Sequence, residues 1–277
     1  MKIIVQGLFA IGLLLSFYNA SFAAESFITV ASTTSTQNSG LFKHILPLFK
    51  AYSGINVRVV AVGTGQAIRL AQKGDSDVLF VHHKPSELKF VTDGFGVGRR
   101  DVMYNDFVIV GPSADPAGIK GMTDAVAAFR KIQNSKSIFT SRGDDSGTNK
   151  KELGLWVSAG IDVKAVSGSW YRETGSGMGA TLNAASGMQA YTLTDRGTWI
   201  SFKNKKDLVL LTEGDVELFN PYGVILVNKT LHSHTKSNEG QTFIDWLTSS
   251  SGQKAIGAHR VGGKPLFFPN ATKPSGS

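Results

Sequence analysis

Five hydroxyl side chains in a row, Ser32 to Thr36, stand inside the stretch Ala31-Ser-Thr-Thr-Ser-Thr-Gln-Asn-Ser-Gly40. They follow a short apolar run, Ser26–Val30, that reads as a strand. They lead into the apolar-periodic segment Leu41–Tyr52, which reads as a helix. Hydroxyls at a strand-to-helix turn sit beside the unpaired N–H groups and partial positive charge of a helix start. That donor-rich combination suits an oxyanion and requires no catalytic base. A helix N-cap needs one Ser or Thr; a run of this length exceeds that need.

Three further turns share the design. Gly63-Thr64-Gly65-Gln66-Ala67 follows a β-branched run. Ser141-Arg142-Gly143-Asp144-Asp145-Ser146-Gly147-Thr148 follows Ser137–Thr140. Thr174-Gly175-Ser176-Gly177-Met178-Gly179 precedes a helix at Ala180. In each, glycines expose backbone N–H groups, hydroxyls stand beside them, and a helix begins. Arg142 adds the side chain best suited to forked contact with an oxyanion. A single Gly-x-Gly before a helix is usually only a tight turn, so the weight lies in the conjunction of the four.

The elements that must position these turns alternate between strand and helix. Strands are expected over Asn56–Val62, Asp77–Val81, Val102–Val110, Ser137–Thr140, Tyr191–Leu193, Leu208–Leu211 and Tyr222–Val227. Helices are expected over Thr64–Gln72, Lys84–Val91, Met122–Ile132, Ser146–Ser158, Met178–Gln189 and Gly240–Leu247. Pro47 predicts a kink or an early stop in the helix that starts at Leu41. The alternation implies an α/β fold with mainly parallel sheets, in which ligands sit beyond the strand C-termini.

Composition sets the remaining bounds. The 277 residues carry a formal charge of +8 and no cysteine, and 42% are hydrophobic. The chain opens with Lys2, an apolar run from about Ile3 to Phe17, and a small-residue exit at Ser21-Phe22-Ala23. This reads as a secretory signal, residues 1–23, cleaved after Ala23. The apolar run is shorter than the ~20 residues of a membrane-spanning helix. An exported chain without cysteine must be held together by its core alone. The basic residues are dispersed, the densest group being Lys203, Lys205 and Lys206. No strip interleaves aromatics with basic residues, so nucleic acid is not the expected partner.

Other chemistries find less support. His82 and His83 are adjacent on a strand and point to opposite faces, and His232 and His234 lack a third ligand, so no metal site is expected. An exported enzyme acting on phosphorylated or acyl substrates would need a nucleophile with its base. The sequence offers no cysteine, no Gly-x-Ser-x-Gly elbow with a recognisable histidine and no metal set. No catalytic residue and no cofactor is expected. Residue chemistry alone therefore points to a receptor for a tetrahedral oxyanion, with phosphate, molybdate and tungstate all open.

At this point a family resemblance narrows the field. The motifs that carry it are the hydroxyl turn 31–40, Val62-Gly-Thr-Gly-Gln-Ala67 and Phe139-Thr-Ser-Arg-Gly-Asp-Asp-Ser-Gly-Thr148. Two more are Tyr171-Arg-Glu-Thr-Gly-Ser-Gly-Met-Gly179 and Ala190-Tyr-Thr-Leu-Thr-Asp-Arg-Gly-Thr198. From Phe27 to about Phe268 the chain resembles the tungstate-binding proteins of ABC transporters, within the type II periplasmic binding proteins. The family's first turn reads Thr-Thr-Thr-Ser; here Ser32 replaces the first Thr, keeping the hydroxyl and losing a methyl. The Ser-Arg…Ser-Gly-Thr element also resembles phosphate-binding relatives.

The resemblance implies a two-lobed receptor with each lobe a mainly parallel sheet flanked by helices. One lobe would combine residues 25–108 with 221–277; the other would hold 109–220. The chain would cross between them near Asp106–Val110 and Phe219–Tyr222. It implies anion donors at Thr33, Thr34 and Ser35, at Thr64 and Gly65, and at Ser141, Arg142 and Thr148, with backbone N–H groups of Gly177 and Met178. The implied receptor is a periplasmic monomer that delivers tungstate, or molybdate, to a permease in the inner membrane. Asp144 and Asp145 would repel an anion. Their expected role is structural, capping the helix at Ser146 or pairing with Arg142 or another cation; an acceptor for a protonated anion would instead favour phosphate.

Overall fold

The computed structural model describes residues 25–271. The expected signal segment and the polar tail Lys273–Ser277 lie outside the described residues. The chain opens with β1 (Phe27–Thr33), α1 (Thr34–Asn38), α2 (Leu41–Ser53), β2 (Asn56–Val62), α3 (Thr64–Gln72), β3 (Val78–Val81) and α4 (Lys84–Thr92). A long β4 (Gly96–Pro112) leads to α5 (Ala125–Asn134), β5 (Phe139–Ser141), α6 (Gly147–Ser158), β6 (Tyr171–Glu173), α7 (Met178–Met188), β7 (Thr192–Asp195), α8 (Arg196–Ser201) and β8 (Leu208–Thr212). The chain returns through β9 (Phe219–Val227), α9 (Ser237–Thr248) and α10 (Ser250–Ala258). Three two-residue strands follow: β10 (Arg260–Val261), β11 (Lys264–Pro265) and β12 (Phe268–Pro269).

Side-chain alternation along the strands builds a core on both faces of each sheet. In β3, Val78 and Phe80 join a core with Ile28, Phe49, Phe243 and Trp246, whereas Leu79 and Val81 face Ala67, Ala71 and Phe90. In β4, Phe107 and Ile109 pack with Phe129, Phe139, Trp156 and Tyr191, whereas Val108 and Val110 pack with Leu182, Ala185 and Trp199. The first two cores draw on the chain up to Met103 and after Tyr222; the other two draw on Phe107 to Leu218.

The two sets of cores meet along β4. Its residues Gly96–Asp106 pair with β9, and Phe107–Pro112 pair with β7 and β8. One strand thus leaves the first sheet and continues into the second, with Asp106 opposite Phe219 at the crossing. This makes the mainly parallel expectation half right. Strands β2-β1-β3 and the pair β5–β6 are parallel. β9 runs antiparallel to β3 and β4, and β4 runs antiparallel to β7 and β8. The sheet is mixed because β4 carries the chain out and β9 carries it back, and such neighbours must oppose.

Two local expectations need correction. Helix α2 runs on past Pro47 to Ser53. Pro47 is exposed, so the Lys43 carbonyl left without its helical donor faces water. The hydroxyl turn also does not enter α2 directly. β1 extends to Thr33, and the five-residue α1 stands between, capped by Thr33.

Candidate oxyanion site

The hydroxyl run divides by direction. Ser32 lies in the strand and its Oγ donates to the Phe80 carbonyl at 2.6 Å, so it belongs to the sheet. Thr33 is buried, and its Oγ1 accepts from Thr36 N at 3.3 Å as the cap of α1. Thr33, Thr34 and Ser35 then line a small space, closed too tightly here to admit a water molecule. Gly63 and Thr64 at the start of α3, His82 just after β3, Arg142 in the loop after β5, and Ser146, Gly147 and Thr148 at the start of α6 complete the lining. Three of the four glycine- and hydroxyl-bearing turns therefore converge.

The chemistry of this space lies in atoms that no other described residue satisfies. Thr64 Oγ1, Thr148 Oγ1 and Arg142 Nε are buried without a hydrogen-bond partner. Buried polar groups are nearly always partnered, because an unmet donor costs about 1–3 kcal/mol. Three such groups on one small lining mark a place built to donate to something else. Two helix starts add to it. Ser146 caps α6 by accepting from Asn149 N at 3.2 Å, and Gly63 caps α3.

Gly147 sets how closely the parts approach. A Cβ there would meet the His82 ring at 2.8 Å and Thr64 Oγ1 at 3.0 Å. Only glycine lets α6 begin against β3 and α3. Gly65 is confined in the same way: a Cβ there would collide with the Asp145 carboxylate. Asp145 also pairs with Lys150 and lies 3.6 Å from Arg69 Nη1, so it ties the Arg142 loop to α3.

Arg142 is 5% exposed, and its Nη2 donates to Asp144 Oδ2 at 2.5 Å. Asp144 Oδ1 accepts from Ser146 N at 3.2 Å. Asp144 therefore does both structural jobs expected of it: it holds the guanidinium fork and braces the approach to α6. Asp195, buried nearby, caps α8 by accepting from Thr198 N at 2.8 Å and Thr198 Oγ1 at 2.6 Å. Burial raises its pKa, against the pull of Thr198 and Arg142. Arg196 does not pair within its own turn; it bonds Asp106 at 2.7 and 2.5 Å and Glu213 at 2.7 Å.

The remaining expected residues fall elsewhere. Ser141 lines none of these spaces. Its Oγ donates to Glu152 Oε2 and accepts from Asn149 Nδ2 at 3.1 Å. Glu152 also accepts from Trp156 Nε1 and Tyr171 Oη, each at 2.8 Å. Burial pushes its pKa up to about 7. Ser141 thus anchors the loop that carries Arg142. Gly65 is buried but outside the lining. Gly177 and Met178 line a neighbouring cavity of about 440 Å³ with Thr34, Ser35, Arg142 and Thr198. That cavity shares Thr34, Ser35 and Arg142 with the small space.

His82 is the residue that sequence reasoning missed. It is 4% exposed, its ring stacks on Tyr222 at 4.7 Å, and burial first, then Arg142, lower its pKa to about 4. Asn220 Nδ2 donates to Asn105 Oδ1 at 2.6 Å, so its Oδ1 faces His82 Nδ1 at 3.0 Å and takes that N–H. The neutral ring therefore presents a bare Nε2, which accepts from the Ser35 hydroxyl at 3.0 Å. The opposite-face expectation fails, because β3 ends at Val81; His82 and His83 lie in the turn before α4 and line one cavity together. His232 and His234 are spent on the Gln72 and Gly74 carbonyls, each at 2.9 Å.

Comparisons with known proteins give the family. A profile of the PBP superfamily domain matches residues 20–251. The tungstate-binding protein TupA of Peptoclostridium acidaminophilum is 46% identical over 254 residues, covering 90% of this chain and 88% of the relative. The solved tungstate-binding protein TupA from Desulfovibrio alaskensis G20 superposes with a TM-score of 0.79 at 43% identity, over 89% of this chain and all of that one. The crystal structure of the tungstate ABC transporter from Geobacter sulfurreducens gives a TM-score of 0.76 at 51% identity, over 85% of this chain. By sequence and by its two-lobed fold, the chain belongs to the PBP superfamily and, within it, to the TupA family.

Proposed function

We propose that this protein is a solute receptor, not an enzyme, that captures tungstate and hands it to the permease of an ABC transporter. The observation that carries the reading is the trio of buried, unpartnered donors, Thr64 Oγ1, Thr148 Oγ1 and Arg142 Nε, which come from both sides of the β4 crossing and line one space. A tetrahedral dianion has four oxygens, each able to accept several hydrogen bonds. It must shed its water on entry, and donors already held by helix starts lose little freedom in replacing that water. Thr33 at the end of β1 and Thr34 and Ser35 at the start of α1 supply hydroxyls, and the start of α6 supplies N–H groups. Ser141 and Gly65 support the site from behind, and Gly177 and Met178 line the larger cavity beside it.

The lobes of this reading are residues 25–108 with 221–277, and residues 109–220, hinged where β4 and β9 cross. Closure buries the ion and signals occupancy to the permease. Molybdate, nearly the same size, is the natural competitor, whereas sulfate is smaller and phosphate carries a proton near neutral pH. The receptor works as a monomer in the periplasm after removal of residues 1–23. Among the described residues, no helix is long and apolar enough to cross a membrane. Native mass spectrometry of dialysed protein with tungstate tests the reading. One tungstate per chain in excess sulfate and phosphate is expected, and a phosphate adduct in its place would overturn it.

A further inference from the structure

We infer that anion capture takes up one proton, onto Nε2 of His82. The inference rests on the oxyanion reading above. Its first support is the hydrogen-bond chain Asn105–Asn220–His82–Ser35. Asn220 holds the Nδ1–H, so Nε2 accepts and the Ser35 proton is committed to His82. Ser35 cannot give that proton to an anion without stripping the buried Nε2 of its only partner.

The second support is the charge around the space. Arg142 is the one cationic side chain on the lining, and Asp144 already neutralises it at 2.5 Å. Asp195 is buried close by. A dianion therefore enters a site with no net positive charge, and His82 is the only other titratable side chain lining it.

The groups facing His82 account for both states of the ring. Burial and Arg142 from the α6 loop disfavour a charged ring in the free protein, and His83 and Lys84 from the turn before α4, with Lys150 and Lys151 from α6, bound the cavity on its other side. Asp144 and Asp195 act the other way, both through Arg142. Tyr222 and Asn220 from β9 contribute a ring face and an amide, and α1 contributes hydroxyls only. A dianion within hydrogen-bond reach reverses the balance. One opposite charge at 4–6 Å raises a pKa by about 1–3 pH units, and the ligand carries two.

The step balances simply. The Ser35 O–H turns from Nε2 to an anion oxygen. Nε2 takes one proton from solvent, and the new N–H donates to Ser35 Oγ. Solvent can reach the ring from its other side. His82 and Gly147 also line a cavity of about 420 Å³ bounded by Lys84, Lys150, Lys151 and Glu217. The bound ion is then matched by Arg142 and an imidazolium together.

Calorimetric titration of the whole mature protein with tungstate, in two buffers of one near-neutral pH and different ionisation enthalpies, tests this. The account expects heats that differ by the uptake of about one proton per tungstate. It also expects affinity to fall about tenfold per pH unit between the free and bound pKa of the ring. His82→Gln should bind more weakly and take up none. Should that variant not fold, the ring nitrogen shifts of His82 in the wild type, with and without tungstate, give the same answer. Tight binding with buffer-independent heat overturns the inference, as does uptake that persists in His82→Gln. Absence of any tungstate binding would overturn the reading beneath it, and the inference with it.

Discussion

Replacing Thr148 by valine should separate stability from function. Thr148 is 2% exposed and its Oγ1 has no partner among the described residues. Val and Thr are close in shape and in helix propensity. In the free protein the change removes a buried, unmet polar group, relieving a penalty of up to about 1–3 kcal/mol. Stability should hold or rise, by about 2–4 °C in Tm for each kcal/mol gained in a chain of this size. Anion binding should weaken, because a hydrogen bond to a charged group contributes about 1.5–3 kcal/mol. That is roughly a 10- to 150-fold rise in Kd. Denaturant unfolding of the free protein and titration with tungstate read the two effects separately. Unchanged affinity, or a clearly less stable free protein, would refute the reasoning that this hydroxyl is held for a ligand.

Arg142→Ala should leave the fold intact and weaken tungstate binding by at least about 3 kcal/mol, because it removes the guanidinium and leaves Asp144 unpaired beside the anion; calorimetry with circular dichroism checks both. Gly147→Ala should lower affinity without unfolding the chain, because its Cβ would press His82 at 2.8 Å and hold α6 away from β3. Glu152 should make stability pH-dependent. Burial raises its pKa from 4.5 to about 7, so its stabilising contribution is whole below 4.5 and is lost as pH rises through about 7. Denaturation across that window should show the decline, and Glu152→Gln should flatten it.

Much of this was legible in the sequence. The glycine and hydroxyl turns, the strand–helix alternation and Arg142 all follow from local rules, because caps and turns are decided within a few residues. What was hidden depends on partners distant in sequence. Ser141 reads as a donor beside Arg142, yet Glu152 claims it, and only the fold places α6 so that it can. His82 gains its role from Asn220, which is far away in the chain. Strand direction was hidden for the same reason: an apolar run such as Tyr222–Val227 fits a parallel or an antiparallel neighbour equally well. Pro47 brought no early stop, because it lies on the exposed face of α2, where losing one helical hydrogen bond is tolerated.

Isothermal titration of the dialysed mature protein with tungstate, in competition with molybdate, sulfate and phosphate, tests the central claim most directly. The account predicts tight one-to-one binding of tungstate that sulfate and phosphate fail to displace and molybdate competes for. Phosphate binding without heat from tungstate or molybdate would contradict it and recast Asp144 or Asp145 as the acceptor for a protonated anion.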